Sequence, residues 1–231
     1  TTSGRNVRNK LKNRIEAFGV GLDLLAERAV YVPALELLLV ADVHLGKSET
    51  FQAAGIPVPS TVNQGTLDRL QQLCSAYQPA RLIILGDLLH SKLALTDEVL
   101  QQWAKFRNSV TLSIALLIGN HDRRALSLLE QLEIECLTDP IALKSLYLSH
   151  EPSPKSGCLN ICGHVHPCIR IQSRLDQLRL PCFYWKKSSN LLVLPSFGEF
   201  TGGFEVTAEP NTEIYIVAEG QVIAWSQTNR G

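Results

Sequence analysis

No excess of either charge exists in this chain: 22 lysines and arginines are matched by 22 aspartates and glutamates, and the pI is about 6.9. A neutral protein exerts no long-range pull on a polyanion, so any contact with nucleic acid must come from a local patch. Methionine is absent, the initiator included, and either a processed N-terminus or a sequence that starts inside a longer chain is expected. No run of about 18 apolar residues occurs, so no membrane span is expected. No charged-then-apolar opening marks a secretory leader either, and a cytoplasmic location is expected. The six cysteines (Cys74, Cys136, Cys158, Cys162, Cys168 and Cys182) lack the C-x-x-C pairs of a structural zinc site. A chain of 231 residues does not need disulfides to hold a core, so reduced thiols are expected.

A hydrophobic fraction of 45% and a mean hydropathy of +0.04 fit a globular protein with a substantial core. Arg5, Arg8, Lys10, Lys12 and Arg14 all precede the first acid, Glu16. Residues 1–15 therefore read as a basic N-terminal arm, either anion-binding or simply solvated, and residues 16–231 as one domain. Strands are expected over residues 18–24, 29–32, 35–41, 81–85 and 111–118, with helices over 66–77, 97–107 and 122–132. Thr96 is the expected N-cap of the second helix. Beyond residue 132 short strands dominate, at 134–137, 146–149, 159–162, 169–171 and 191–194, closed by a hairpin turning at Glu219-Gly220. Strand and helix alternate first and strands prevail later, which argues for stacked sheets with helices outside, an α/β (α+β) architecture.

All six histidines fall in an ordered series of short motifs: Asp42-Val43-His44, Gly86-Asp87-Leu88-Leu89-His90, Gly119-Asn120-His121-Asp122, Ser149-His150-Glu151 and Gly163-His164-Val165-His166. Most follow an apolar run, at the carboxyl ends of strands where open α/β sheets place their sites. Imidazole and carboxylate together suit divalent metals such as manganese, iron or zinc. A two-metal hydrolase needs a shared carboxylate and terminal nitrogen or oxygen ligands for two ions about 3.5–4 Å apart. Asp87, directly after its strand, can bridge. Asp42 and His44 alternate by two, as do His164 and His166, so each pair points one way on an extended segment. Asn120 offers an amide oxygen and His150 a further imidazole. Glycines 86, 119 and 163 are expected to allow tight turns with unusual dihedrals.

The series D-x-H, G-D, G-N-H-D, H, G-H-x-H, spanning residues 42–166, resembles the motif set of the calcineurin-like metallophosphoesterases. That resemblance implies a four-layer αββα sandwich, two mixed β-sheets flanked by helices, and a phosphoester hydrolase using two divalent ions, with manganese favoured. It implies that Asp42, His44, Asp87 and His166 hold one ion, and that Asp87, Asn120, His150 and His164 hold the other. His121 would protonate the leaving oxygen, with Asp122 orienting it, which supplies the general acid such a reaction needs. A narrower similarity, carried by Ala41 to Lys47, Phe51, residues 55–59 and residues 194–203, is to the DNA-ligase-associated branch of the family. It implies a DNA-damage-response phosphoesterase or endonuclease, associated with DNA ligase, helicase and exonuclease proteins.

Around these motifs, His90, Lys47 and Arg123 are candidates for substrate contact, and Phe197 and Phe200 for lining a cleft, although each is equally a solvated or packed residue. A phosphodiesterase acting on DNA is the first reading. A phosphomonoesterase or nucleotide pyrophosphatase on small metabolites uses the same metals and is the alternative. A binding scaffold that has lost catalysis is a further one, which the complete ligand inventory disfavours. Oligomeric state leaves no mark in the sequence.

Overall fold

A computed structural model describes residues 13–53, 55–58, 61–91, 94–172, 177–199 and 201–226. Arg5, Arg8, Lys10, Lys12 and Phe200 lie outside the described residues. Period-two burial builds the first sheet. Its seven strands are β1 (Arg14–Ala17), β2 (Val20–Leu25), β3 (Ala29–Val32), β4 (Leu37–Val40), β5 (Arg81–Ile84), β6 (Ser113–Leu117) and β7 (Glu135–Leu137), side by side in chain order. The first four run antiparallel; β4 to β7 are parallel, with Leu38 opposite Leu82 and Leu82 opposite Ile114. Arg14 and Ile15, read from the sequence as the end of the basic arm, belong to β1.

Alternate residues on these strands serve two cores. Leu38, Val40, Leu82, Ile84, Ile114 and Leu116 face helices; Leu37, Leu39, Ile83, Ala115 and Leu117 face the second sheet. The helices are α1 (Lys47–Ala53), α2 (Thr61–Tyr77), α3 (Asp97–Ser109) and α4 (Leu126–Leu129). Leu67, Leu70 and Leu73 of α2, with Val99, Trp103 and Phe106 of α3, supply the apolar stripes at helical spacing that meet the first sheet. Thr96 caps α3 as expected, its Oγ1 accepting the Val99 N–H at 3.4 Å.

The second sheet comprises β8 (Ile141–Leu143), β9 (Leu146–Leu148), β10 (Leu159–Cys162), β11 (Pro167–Gln172), β12 (Gln177–Lys186), β13 (Leu191–Val193), β14 (Phe204–Glu205), β15 (Thr212–Ala218) and β16 (Gln221–Trp225). Its order is β14-β11-β12-β13-β10-β9-β8, with β15 on β12 and β16 on β15. β10 is parallel to β9 and β13, whereas β12 is antiparallel to β11, β13 and β15, so this sheet is also mixed. Leu146, Leu148, Leu159, Ile161, Phe183, Trp185 and Leu192 face the first sheet. Among the described residues every α-helix precedes residue 132, so the helical layer gathers on the first sheet.

Three local expectations change. The single helix expected over 122–132 is a 3-10 turn (Asp122–Arg124), the one-turn α4 and a second 3-10 turn (Glu130–Leu132). The Asp122 carboxylate is tied back to the Gly119 N–H, and the Arg124 and Ala125 N–H groups close onto residues three before them, so the first turn is committed to a tighter winding. The segment after Gly46, for which no helix was expected, is α1, begun by Thr50 donating its N–H to the Gly46 carbonyl at 3.2 Å. β12 was not among the expected strands, and it contains Pro181. Residues 177–181 pair with β11 and residues 182–186 with β15, so the residue lacking an N–H sits where the ladder changes partners.

Candidate metal centre

Each motif emerges from a strand's carboxyl end. β4 delivers Asp42 and His44, β5 delivers Asp87, and β6 delivers Asn120, His121 and Asp122; β9 delivers His150, and β10 delivers His164 and His166. The loops are laced by backbone bonds: Asp42 N–H to Gly86 O at 3.1 Å, His44 N–H to Asp87 O at 2.9 Å and Gly163 N–H to His150 O at 3.0 Å. Among the described residues three groups have metal-ligand geometry: besides the imidazole trio His44/His90/His121, two mixed clusters form, Asp42/His44/His166 and Asp87/His150/His164. In both, one part comes from the first sheet and the other from the second, so each cluster straddles the sandwich. Asp42 and His44 stay together in one cluster, whereas His164 and His166 go to different ones.

The extended geometry expected for these pairs is not what the chain adopts. Asp42, His44, Asp87, His164 and His166 all have left-handed backbone, with φ of 53°, 52°, 51°, 68° and 52°. Asp and His are among the few side chains that tolerate this region, and such residues concentrate where a site holds them. The flanking glycines also work differently from the expectation. Only Gly86 has a left-handed φ, +84°. Gly119 and Gly163 are needed for space: a Cβ there would stand 2.2 Å from Asp87 Oδ1 and 2.6 Å from Asp42 Oδ2.

The donor set fits divalent cations. Asp42 is fully buried, and its Oδ2 accepts the His164 N–H at 2.8 Å, but its Oδ1 has no hydrogen-bond partner; His166 Nε2 stands 3.4 Å away. His44 Nε2 and His166 Nε2 confront each other at 3.4 Å, and His150 Nε2 and His164 Nδ1 at 3.2 Å. A carbonyl can only accept, so His150 Nδ1–H donates to Leu85 O (2.9 Å) and His166 Nδ1–H to Gly202 O (3.2 Å), leaving each Nε2 aimed into its cluster. Asp87 Oδ1 accepts the His121 N–H at 2.9 Å, while Oδ2 faces His150 Nε2 at 3.6 Å. Converging, under-satisfied buried donors of this kind are what a cation site leaves when side chains alone are counted.

Burial first, then His166, Lys47, His121 and His90, push the His44 imidazole down to about 2; burial with Lys47 and His121 brings His90 down to about 4. Both are therefore neutral at pH 7, the form that binds metal. At His166 burial opposes the charged form, but the Asp42 carboxylate and the Gly202 carbonyl outweigh it and raise the pKa. Burial lowers the Lys47 ammonium.

The remaining candidates separate. His121 turns its Nδ1–H onto the His90 carbonyl (2.5 Å), so its Nε2 faces the clusters, 4.0 Å from Asp87 Oδ2. Asp122, expected to orient that ring, does not touch it. Its buried carboxylate accepts the Leu89 and Gly119 N–H groups, both at 3.0 Å, and pins two loops together. Burial raises its pKa to about 6 despite those bonds. His90 stacks on His121 with centroids 5.1 Å apart and reaches Phe51 at 6.4 Å. Lys47 stands 5.7 Å over the Phe51 ring. Asn120 and Arg123 are exposed, and Arg123 lines a cavity of about 330 Å³ with Ser149 and His150. Phe197 is wholly buried in the core, under the Arg69 guanidinium at 4.4 Å from its centroid.

Sequence reasoning missed the residues that brace the site from afar. Ser196 Oγ–H donates to the Asp42 carbonyl at 2.8 Å, and Asn63 Oδ1 accepts the Gly46 N–H at 3.0 Å. Gly198 packs so closely that a Cβ would stand 2.2 Å from the Val43 carbonyl oxygen. The similarity of residues 194–203 marks the stretch that holds Ser196 and Gly198, but nothing local marks the bracing role of any of the three, because each acts through a partner far along the chain.

The calcineurin-like phosphoesterase family model matches residues 35–178. Among solved structures, the Pseudomonas putida nuclease MPE is 37% identical, with a TM-score of 0.79 over 92% of this chain and 98% of that one. The Escherichia coli phosphoesterase YfcE is 15% identical over 81% of this chain and 96% of its own, with a TM-score of 0.42. An Aquifex aeolicus protein, AQ665, is 21% identical over 60% of this chain and 80% of its own, with a TM-score of 0.40. No curated protein sequence matches at a significant level. The family model spans both clusters and the strands that carry them, and with the nuclease match it shows that this chain is a metal-dependent phosphoesterase of the calcineurin-like family.

Proposed function

We propose that the protein is a two-metal phosphodiesterase that cleaves DNA. The observation that carries this reading is the pair of abutting imidazole–carboxylate clusters, linked where the Asp42 carboxylate of one accepts the His164 N–H of the other. In this reading Asp42, His44, Asp87 and His166 hold one cation, and Asp87, Asn120, His150 and His164 the second, with Asp87 shared. Bound divalent cations would supply an activated water and neutralise charge on the phosphoryl oxygens. Manganese is the preferred occupant, with iron and zinc compatible with the same donors.

The chain's own groups then do the rest. The His90 carbonyl fixes the His121 tautomer, so proton transfer occurs at Nε2, the atom turned toward the site. Asp122 holds the loops that carry His121 and His90 in register. Lys47 and Arg123 draw the anionic substrate in. The likeness to a nuclease, 37% identical and nearly full-length, supports a polynucleotide substrate. The similarity of residues 194–203 to the DNA-ligase-associated branch supports a place beside ligase, helicase and exonuclease proteins in repair, and six free cysteines suit a cytoplasmic setting.

Turnover of single-stranded and nicked DNA, cyclic nucleotides, bis(p-nitrophenyl) phosphate and p-nitrophenyl phosphate, each with several divalent ions, tests the reading. Metal-dependent cleavage of DNA and of the small diester is expected. Preferential hydrolysis of monoesters would replace it with a metabolite phosphatase. Asp87→Ala should strip both ions, and two ions retained at full occupancy would remove the shared role of Asp87.

A further inference from the structure

Beside His166 a cleft of about 280 Å³ opens between Arg28 in the β2–β3 turn, strands β11 and β12, and residues 196, 199 and 201–203; Arg28, His166, Arg179, Glu199, Thr201 and Gly202 line it. Its charges are unbalanced. Arg28 and Arg69 share one carboxylate, Glu199, at 3.8 and 2.5 Å. Arg170 and Arg179 sit directly opposite each other on β11 and β12, and only Arg170 is neutralised, by Glu205 at 2.5 Å. Among the described residues Arg179 pairs with no carboxylate, and it is exposed. Like charges facing each other across an antiparallel pair cost stability, and an anion between them would remove the cost. The cleft is also coupled to the metal centre, because the Gly202 carbonyl in its wall accepts the His166 Nδ1–H.

We propose that this cleft binds the backbone phosphate next to the scissile one, with Arg179 as the contact and Arg28 and Arg170 supplying the field. The inference rests on the polynucleotide reading above and deepens it: a chain running out of the metal centre past His166 meets a second anion site, whereas a small ester has nothing to place there. Arginine suits the task because its planar fork matches phosphate oxygens.

The test compares kcat/KM on a single-stranded oligonucleotide with that on bis(p-nitrophenyl) phosphate, using the metal-supplemented full chain. For Arg179→Ala the ratio of the two should fall about fivefold, the equivalent of about 1 kcal/mol, and further for Arg179→Glu. The slope of log(kcat/KM) for the oligonucleotide against log salt should become shallower by about 0.7 for the alanine variant, the value for one phosphate contact on a single strand. Lys105→Ala on α3 controls for net charge. An unaltered ratio and salt slope would overturn the inference and leave Arg179 as a solvated cation. An equal fall on both substrates would also overturn it, as a structural role. A wild-type protein that hydrolyses small esters but no oligonucleotide would remove the polynucleotide reading, and this inference with it.

Discussion

Gly119 and Gly202 lie in loops beside the same centre and predict opposite results. A methyl at Gly119 would meet Asp87 Oδ1 at 2.2 Å and the Asp87 backbone nitrogen at 2.4 Å, and neither can move without displacing a candidate ligand; at Gly202 nothing lies within 4 Å. Gly119→Ala should therefore destabilise by about 1–3 kcal/mol, as overpacking does, and lower bound metal in elemental analysis. Gly202→Ala should hold its metal, and equal metal loss in both variants would contradict the steric account. His121→Ala belongs to the same scale. It should retain both ions but cut oligonucleotide turnover by about 10²–10⁴-fold, as loss of a general acid does. The loss on a p-nitrophenyl ester should be smaller, because that leaving group needs little protonation. The residues that meet in the two mixed clusters were legible because imidazole and carboxylate ligands are a restricted set of side chains at short spacings. Their backbone was not legible. Nothing in Asp42-Val43-His44 says that both ends turn left-handed, nor that the carboxylate of Asp122 serves two amides rather than the neighbouring imidazole.

Helices and strands were legible where burial is one-sided and the period regular. The apolar runs at β4, β5, β6 and β10 and the stripes of α2 and α3 appear close to where periodicity put them. Periodicity misleads where a tertiary tie overrides it. Residues 125, 129 and 132 have helical spacing and are all buried, yet the tether at Asp122 breaks the winding. β12 was not expected, and its Pro181, disfavoured inside a central strand, is harmless where the strand changes neighbours. Two helix substitutions test these assignments. Gly65, inside α2 with open space around its absent side chain, should give about 0.5–1 kcal/mol of added stability when changed to alanine. Thr96→Ala should cost about 0.5–2 kcal/mol by removing the α3 cap. Denaturant midpoints at constant slope measure both, and a neutral Thr96→Ala would mean the cap bond is not formed in solution.

Across the whole molecule the thiols report how the packing is sealed, Cys74 in the helix-side core and Cys182 and Cys162 in smaller apolar clusters of the second sheet. Cys162 and Cys182 are fully buried and Cys74 nearly so, and burial drives their pKa values up, to about 11 at Cys74 and about 12 at Cys182, so no thiolate forms near neutrality. A disulfide reagent at pH 8 should label exposed Cys136 first and reach these three only after unfolding; rapid labelling of Cys162 would mean the second sheet opens readily. Metal should tighten the same architecture. At a free concentration of about 100 times Kd, one ion adds about 2.7 kcal/mol to the native state. Chelation should therefore lower the melting temperature and restored metal should raise it again, while a melting temperature indifferent to both would argue against resident ions.

Because Asp42 and His44 come from one sheet and His166 from the other, and Asp87 likewise faces His150 and His164, an ion in either cluster is a rivet driven through both halves of the sandwich. Departure of a rivet requires the halves to part at that edge. Exchange with isotope in the medium should accordingly be slow and steeply temperature-dependent, following the breathing of the sheets rather than the intrinsic lability of the ion.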